Sequence, residues 1–332
     1  ANICKLETGC LKENIASERV MQKLGMVCEA QLLCHTLHEG VLKDRVEYRM
    51  LRQEWNSRQR PVVPDEVPSR VPTARPQAIL FDYGQTLIDE TGFDALAGTR
   101  AVLRDAVENP EQATAEEVQA LADAMLHEIG RRGVTPEAQH PMEFHNHLFY
   151  RYLYESFGMR FTKPVQEVER IFWDTAAPGV PAPGMTALLA YLRQAGIRTG
   201  VISNISFSGD TLTERIERIF PEHRFDFILA SSEYVFRKPH GRIFRMALQK
   251  LKLPAHEVWY CGDHGHFDVH GAAQAGLFPV WYTGCHPHDH GVVIPGFSGN
   301  LPVDPCLEVK HWAELPALLA SLPEDRSPNE PM

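Results

Sequence analysis

Four groups able to handle a charged ester stand at the ends of short apolar runs. Asp82 follows Ala78-Ile-Leu-Phe81 in the stretch Phe81-Asp82-Tyr83-Gly84-Gln85-Thr86-Leu87. Ser203 and Asn204 close Gly200-Val-Ile-Ser-Asn204, where a hydroxyl can donate to a bound oxyanion. Lys238, in Arg237-Lys238-Pro239, presents an ammonium at a helix entrance. Asp263 and Asp268 sit five residues apart in Tyr260-Cys-Gly-Asp263-His264-Gly-His-Phe-Asp268-Val-His-Gly-Ala272. Taken singly, an Asp ending a strand is more often a turn or cap residue, and a Lys before Pro is usually a solvated charge. Their joint order and their placement at strand ends are what point to a reaction site.

The runs that carry these groups read as buried parallel strands: 78–82, 198–203, 225–230, 258–261 and 278–281. Helical patterns such as 184–194 and 242–251 lie between them. That alternation predicts an α/β fold, a doubly wound parallel Rossmann-like sheet with ligands beyond the carboxyl ends of its strands. Roughly 95 residues separate Leu87 from Pro183, too many for a simple crossover. Thr114-Ala-Glu-Glu117 is a capping box, followed by Val118, Leu121, Ala122, Met125 and Ile129 at helical spacing. A second helix is expected over Met142–Phe157, with Phe144, Leu148, Phe149, Tyr152 and Leu153 as bundle core and one or two of these aromatics facing substrate as the lesser alternative. The insertion is therefore a helical cap.

Upstream, prolines 61, 64, 68, 72 and 76 favour extended polyproline II and mark a linker. The segment before it reads as a helix capped by Asn14 or Ser17 and stopped at Gly25. Strands 27–37 and 41–51 then flank the turn His38-Glu39-Gly40. A small α+β piece of this size cannot bury a full core. The expected organisation is 1–55 for this piece, 56–76 for the linker, 77–90 with 183–321 for the core, 91–182 for the cap and 322–332 for a frayed tail.

Asn14-x-x-Ser17, Lys23-Leu-Gly-Met26, Glu29, Gly40, Asp44, Tyr48 and Leu51-x-x-Glu54-Trp55 resemble the C-terminal end of a GNAT acetyltransferase of the ribosomal-protein N-acetyltransferase type. The resemblance implies that Asn14 and Ser17 lie beside an acetyl-CoA arm. The glycine-rich loop that would cradle the pyrophosphate is not among these residues, so acetyl transfer is not expected.

The four motifs together resemble the haloacid dehalogenase (HAD) superfamily over nearly all of residues 77–320, the cap included. The resemblance implies that Asp82 is the nucleophile of an aspartyl-phosphate route and that Ser203, with Asn204 beside it, holds a phosphate oxygen. It implies that Lys238 offsets the charge of Asp82 and the phosphoryl group. Asp82, Asp263 and the main-chain carbonyl of Gly84 would bind Mg²⁺, with Asp268 orienting that shell from behind. The resemblance also implies a Mg²⁺-dependent phosphatase acting on a small phosphorylated metabolite. One departure stands out: where phosphatases of the superfamily carry a second Asp as general acid and base, this chain has Gly84. His264 is the first candidate for a substitute acid. The 2-haloacid dehalogenases also lack that Asp, but they lose the metal-binding acid that this chain retains as Asp263. Phosphonate-cleaving relatives need a cap lysine, for which Lys163 is the candidate, and a degenerate domain that binds without turnover is the non-enzymatic alternative.

Composition bounds these readings. A chain of 332 residues with 44% hydrophobic and 23% charged residues has room for about two domains. Residues 77–332 hold 33 acidic against 21 basic side chains. Such a body repels polyanions, so nucleic acid is not expected as a partner, and a phosphate site must be built from local positive groups. No run spans a bilayer and the start lacks a signal peptide's regions, so no membrane role and a cytoplasmic location are expected. The first residue is Ala, which leaves room for residues upstream. Seven cysteines without a Cys-x-x-Cys pair fit reduced thiols. His286, His288 and His290 alternate in a loop, with a solvated segment the favoured reading over a metal site. A dimer stays open.

Overall fold

The computed structural model describes residues 5–24, 26–51, 70–90, 92–129, 142–285, 302 and 304–323. Most of the expected linker, the three alternating histidines and the tail from residue 324 lie outside these residues. The chain divides into two units, Ala1–Val62 and Val63–Met332.

The first unit holds β1 (Lys5–Leu11), α1 (Ile15–Lys23), β2 (Val27–His38) and β3 (Val41–Leu51). Its antiparallel sheet has the order β1-β3-β2. The expected hairpin turns at Glu39 and Gly40, with φ of 52° and 78°, the pair of positive angles that matches the twist of the flanking strands. Asn14 caps α1, its side chain accepting the Ser17 N–H at 3.1 Å. Strand β1 is an addition to the sequence reading: Lys5-Leu-Glu-Thr-Gly-Cys-Leu11 is mostly exposed, and its pairing with β3 reveals it rather than an apolar pattern. The buried cluster here is Cys10, Met21, Met26, Val46, Tyr48 and Met50.

The second unit begins with β4 (Ala78–Phe81) and β5 (Ile88–Glu90), then enters the cap. The cap runs through α2 (Ala95–Leu103), β6 (Ala106–Glu108), α3 (Ala115–Glu128), α4 (Asn146–Glu155), β7 (Arg160–Phe161) and α5 (Val165–Ala176). It returns through β8 (Gly179–Pro181), which pairs antiparallel with β5 to make a two-stranded hinge. The core continues with α6 (Met185–Gln194), β9 (Arg198–Ser203), α7 (Gly209–Ile219), β10 (Phe225–Ala230), α8 (Ser231–Tyr234) and α9 (Gly241–Leu251). It ends with β11 (Val258–Gly262), α10 (Gly271–Gln274), β12 (Phe278–Tyr282), β13 (Leu307–Val309) and α11 (Glu314–Ser321).

Six parallel strands form the sheet, in the order β10-β9-β4-β11-β12-β13. Side chains alternate across a strand, so β4 feeds both faces: Ile79 and Phe81 enter one buried cluster, Ala78 and Leu80 the other. Burial on both faces is why these strands read as continuous apolar runs. Chain order reverses at β4, between β9 and β11, which places a ligand crevice beyond its carboxyl end.

The cap holds its own cluster, including Val102, Val118, Ala122, Tyr150, Leu153 and Tyr154. Thr114 and Glu117 form the expected capping box. The helix expected from Met142 is α4, the third of the cap, and begins at Asn146, because Met142 bridges to Phe236 and His145 caps the helix. That start turns Tyr150, Leu153 and Tyr154 inward and leaves Leu148 and Tyr152 each 63% exposed, correcting their expected place in the core.

Candidate active site

Asp82 follows β4 and its main-chain N–H donates to the Cys261 carbonyl on β11 at 2.8 Å, which fixes the carboxylate above the switch point. Lys238 reaches it from the loop before α9, with Nζ 2.5 Å from Asp82 Oδ1 and 2.6 Å from Asp268 Oδ1. The same ammonium donates to the Tyr260 hydroxyl at 2.8 Å. Tyr260 Oη lies 3.2 Å from Asp268 Oδ1 and 3.2 Å from the Ile202 carbonyl. Tyr260 lies in the fourth motif, and its buried hydroxyl joins this network only once β11 is packed in the sheet.

The turn after β11 explains the spacing of its acids. Residues 265–270 form one π-helical turn, capped by the His264 ring, whose Nδ1 accepts the N–H groups of His266 at 3.1 Å and Phe267 at 3.3 Å. The wide turn folds Asp268 back over the strand end, where Oδ2 accepts the His264 N–H at 2.9 Å. A Cβ at Gly262 would lie 2.3 Å from Asp268 Cγ, so the glycine leaves the room that the carboxylate fills. Asp268 therefore spends both oxygens on the protein. Ligand atoms of Asp82, Asp263 and Asp268 lie within 4.8 Å of one another.

Three carboxylates around one ammonium make an excess of negative charge. Burial pushes the Asp82 carboxyl up to about 7; Lys238 opposes that rise while Asp268 and Asp263 add to it. Burial alone would lower Lys238, yet Asp268 and Asp82 outweigh it and hold the ammonium above its ordinary value. The donor set fits a divalent cation on this ground: hard oxygen ligands, with net charge a cation would offset.

Ser203 ends β9 and is buried, opposite Ala230 of β10. Asn204, next in the chain, holds Lys238. Its Oδ1 accepts the Lys238 N–H at 2.7 Å and its Nδ2 donates to the Lys238 carbonyl at 2.9 Å, so both amide atoms clamp the lysine's main chain. Gly84 has nothing within 4 Å of an added Cβ, and its φ lies outside the left-handed region. Lys163 is paired on the cap surface with Asp105 at 3.2 Å and Glu167 at 3.3 Å, and the Asp105 hydrogen bond raises its pKa, the opposite of what a Schiff-base amine requires. Asn14 and Ser17 belong to the first unit, where they start α1.

Beside this cluster a cleft of about 250 Å³ opens between cap and core. Leu126, Glu143 and Phe144 line it from the cap, residues 204–207 and Arg237 from the core. Of the aromatics expected on the helix from Met142, Phe144 is thus the one that lines the cleft.

A six-stranded parallel sheet with an inserted cap and an Asp–Lys–Asp cluster at its switch point defines a hydrolase of the HAD type. The chain belongs to the haloacid dehalogenase-like hydrolase family, which it matches over residues 76–276. It is 28% identical over 216 residues to a glyceraldehyde 3-phosphate phosphatase from Methanothermobacter thermautotrophicus, covering 61% of this chain and 84% of that one. It is 31% identical over 102 residues to the enzyme of the same name from Pyrococcus abyssi, covering 30% of this chain and only 41% of the relative. Among solved structures, a 2-haloacid dehalogenase from Pseudomonas syringae aligns at 22% identity with a TM-score of 0.48, covering 73% of this chain and 97% of the other. Among the described residues no helix is long and apolar enough to cross a membrane.

Proposed function

We propose that the chain is a Mg²⁺-dependent phosphoric-monoester hydrolase acting on a small phosphorylated metabolite. The observation that carries this reading is the convergence of Asp82, Lys238, Asp263 and Asp268 at the carboxyl end of β4. Retention of Asp263 in that cluster favours a metal and phosphate over the dehalogenase route, and relatives named as phosphatases support the same class. Asp82 and Asp263 would hold the ion with the Gly84 carbonyl, and Asp268 would brace the site from behind. When bound, Mg²⁺ supplies charge neutralisation at the phosphoryl oxygens.

The chain's own groups do the rest. Lys238 orients the Asp82 carboxylate through Oδ1, leaving the group to attack phosphorus as the ester oxygen departs with its bonding pair. An aspartyl-phosphate results, and water then cleaves it to return the free acid and inorganic phosphate. Ser203 donates to a phosphoryl oxygen, and Asn204 keeps Lys238 in place. Gly84 cannot shuttle the leaving group's proton. With its Nδ1 accepting two amide protons, His264 has Nε2 as the ring atom that would hydrogen-bond the departing oxygen, the proton itself coming from water.

Hydrolysis of p-nitrophenyl phosphate, with Mg²⁺ and with chelator, tests the reading. Turnover is expected with the ion and absent without it. Activity indifferent to chelator, with halide released from a 2-haloacid, would favour the dehalogenase route instead. The first unit is read as an acetyltransferase-like remnant without activity, supported by its small core and by Asn14 acting as a helix cap. Calorimetry is expected to show no saturable acetyl-CoA binding.

A further inference from the structure

The cleft adjoins the phosphoryl site by chain connection: Asn204 follows Ser203, Arg237 precedes Lys238, and neighbouring Cα atoms are about 3.8 Å apart. The Asn204 amide, bonded to the main-chain N–H and carbonyl of Lys238, ties these two walls together. At about 250 Å³ the space falls below the roughly 300–1,000 Å³ typical of drug-sized ligands. That size suits a leaving group of a few carbons. Phe144, Phe207 and Leu126 make part of the wall apolar, which strengthens any ion pair formed inside.

Among the described residues that line this cleft Arg237 is the cation, and the way it is held matters. Its Nε lies 3.4 Å from Oε2 of Glu143, whose side chain is only 2% exposed and also accepts the Ser231 hydroxyl at 2.8 Å. The pairing uses one of five donors. Among the described residues, the two terminal nitrogens make no hydrogen bond, although the side chain is only 21% exposed. A guanidinium can serve two carboxylates at once, and its terminal fork matches a carboxylate's two oxygens. A neutral polyol would leave that charge poorly compensated in a part-apolar cleft, and an amine would be repelled.

We propose that Arg237 anchors a carboxylate on the leaving group, so that the substrates are phosphomonoesters of small hydroxy acids. This rests on the phosphatase reading above and names the substrate class of the same site. Glu143 fixes Arg237 from the cap side and is a positioning residue.

The test measures kcat/KM of the full chain with Mg²⁺ for 3-phosphoglycerate, glycerol 3-phosphate and glycerol 1,3-bisphosphate. The wild type is expected to favour the carboxylate ester over the neutral one by about 10- to 100-fold, the worth of a hydrogen bond to a charged group. Arg237→Gln should collapse that ratio toward one, with Arg237→Lys retaining part of it. A merely structural role would lower both rates alike and leave the ratio standing, which would overturn the proposal. Inhibition of wild-type p-nitrophenyl phosphate hydrolysis by glycerate but not glycerol is expected as well, and that measurement needs no variant. Equal wild-type rates on acid and neutral esters, or a preference for the bisphosphate, would overturn the subsite alone. No hydrolysis of any phosphomonoester would bring down the phosphatase reading and the subsite with it.

Discussion

Asp82 is costly to keep ionised in this cluster without a bound cation. Burial, opposed by Lys238, pushes its carboxyl from an ordinary 3.8 up to about 7 in the folded chain. The folded state therefore holds more protons than the unfolded one between those values, and this group's contribution to stability falls as pH rises from about 4 to 7. Asp82→Asn should remove the loss along with the activity. In metal-free buffer its melting temperature is expected to match the wild type near pH 4 and exceed it at pH 8; a gap that stays flat with pH would contradict the charge argument. Gly84 supports a second expectation at this scale. The space beside it is open and its backbone angle suits any residue, so Gly84→Asp should fold and supply the missing proton donor. General acid catalysis is worth about 10² to 10⁴ in rate. The gain should appear on alkyl phosphates, which need protonation on departure, and barely on nitrophenyl phosphate. A folded variant with no gain on alkyl esters would mean that water, with the departing oxygen held by His264, already supplies the proton.

At the scale of elements, the hinge is tied to the nucleophile's strand by one buried arginine. Arg215, on α7, donates to the Tyr83 hydroxyl at 2.7 Å, to Asp174 Oδ1 at 2.7 Å, to Glu90 Oε1 at 3.1 Å and to the Ala177 carbonyl. It also lies over the Trp173 ring, 4.7 Å from its centroid. Glu90 is in β5, while Asp174 and Ala177 lie at the cap's return, so both hinge passages meet at this side chain. Removing it leaves Glu90 poorly compensated, and burial already pushes that carboxyl up. Arg215→Met should cost about 3–5 kcal/mol in urea unfolding; a loss below about 1 kcal/mol would show the clamp to be incidental. This clamp was not legible in the sequence, because Tyr83 and Arg215 stand 132 residues apart and neither ends a patterned motif. Asp82 and Lys238 are 156 apart, yet each lies at a strand or helix end in a known motif order, and both were legible. Five of the six sheet strands were readable as apolar runs. Strand β13, Leu307-Glu-Val309, was not: three residues with a central Glu show no period, and its pairing with β12 reveals it. Glu143 and Arg237 escaped for the same reason as the clamp, since only cap docking brings them together.

For the whole molecule, the separation of cores decides what each part can do alone. Every side chain of the two sheet-covering clusters lies between Ala78 and Leu322. Every side chain of the first unit's cluster lies between Cys10 and Met50, and that cluster is six residues. Around it Leu33, Leu37, Val41 and Leu42 are 71%, 68%, 56% and 56% exposed, so β2 and the start of β3 bury little of what they carry. A core that small falls short of the burial an independent domain needs. The strands, the hinge, the cap and the acidic cluster, by contrast, draw all the contacts described above from residues 70–323. A chain beginning at Arg70 is therefore expected to unfold cooperatively, with a melting temperature within about 3 °C of the full chain. Its Mg²⁺-dependent kcat/KM should lie within about twofold of the full chain's, a difference of only about 0.4 kcal/mol. Residues 1–55 alone should show no cooperative transition by circular dichroism. A truncated chain that keeps its fold but loses hydrolysis would instead assign the first unit a part in catalysis, and a cooperative transition in the isolated segment would mean that six buried side chains suffice for it to fold.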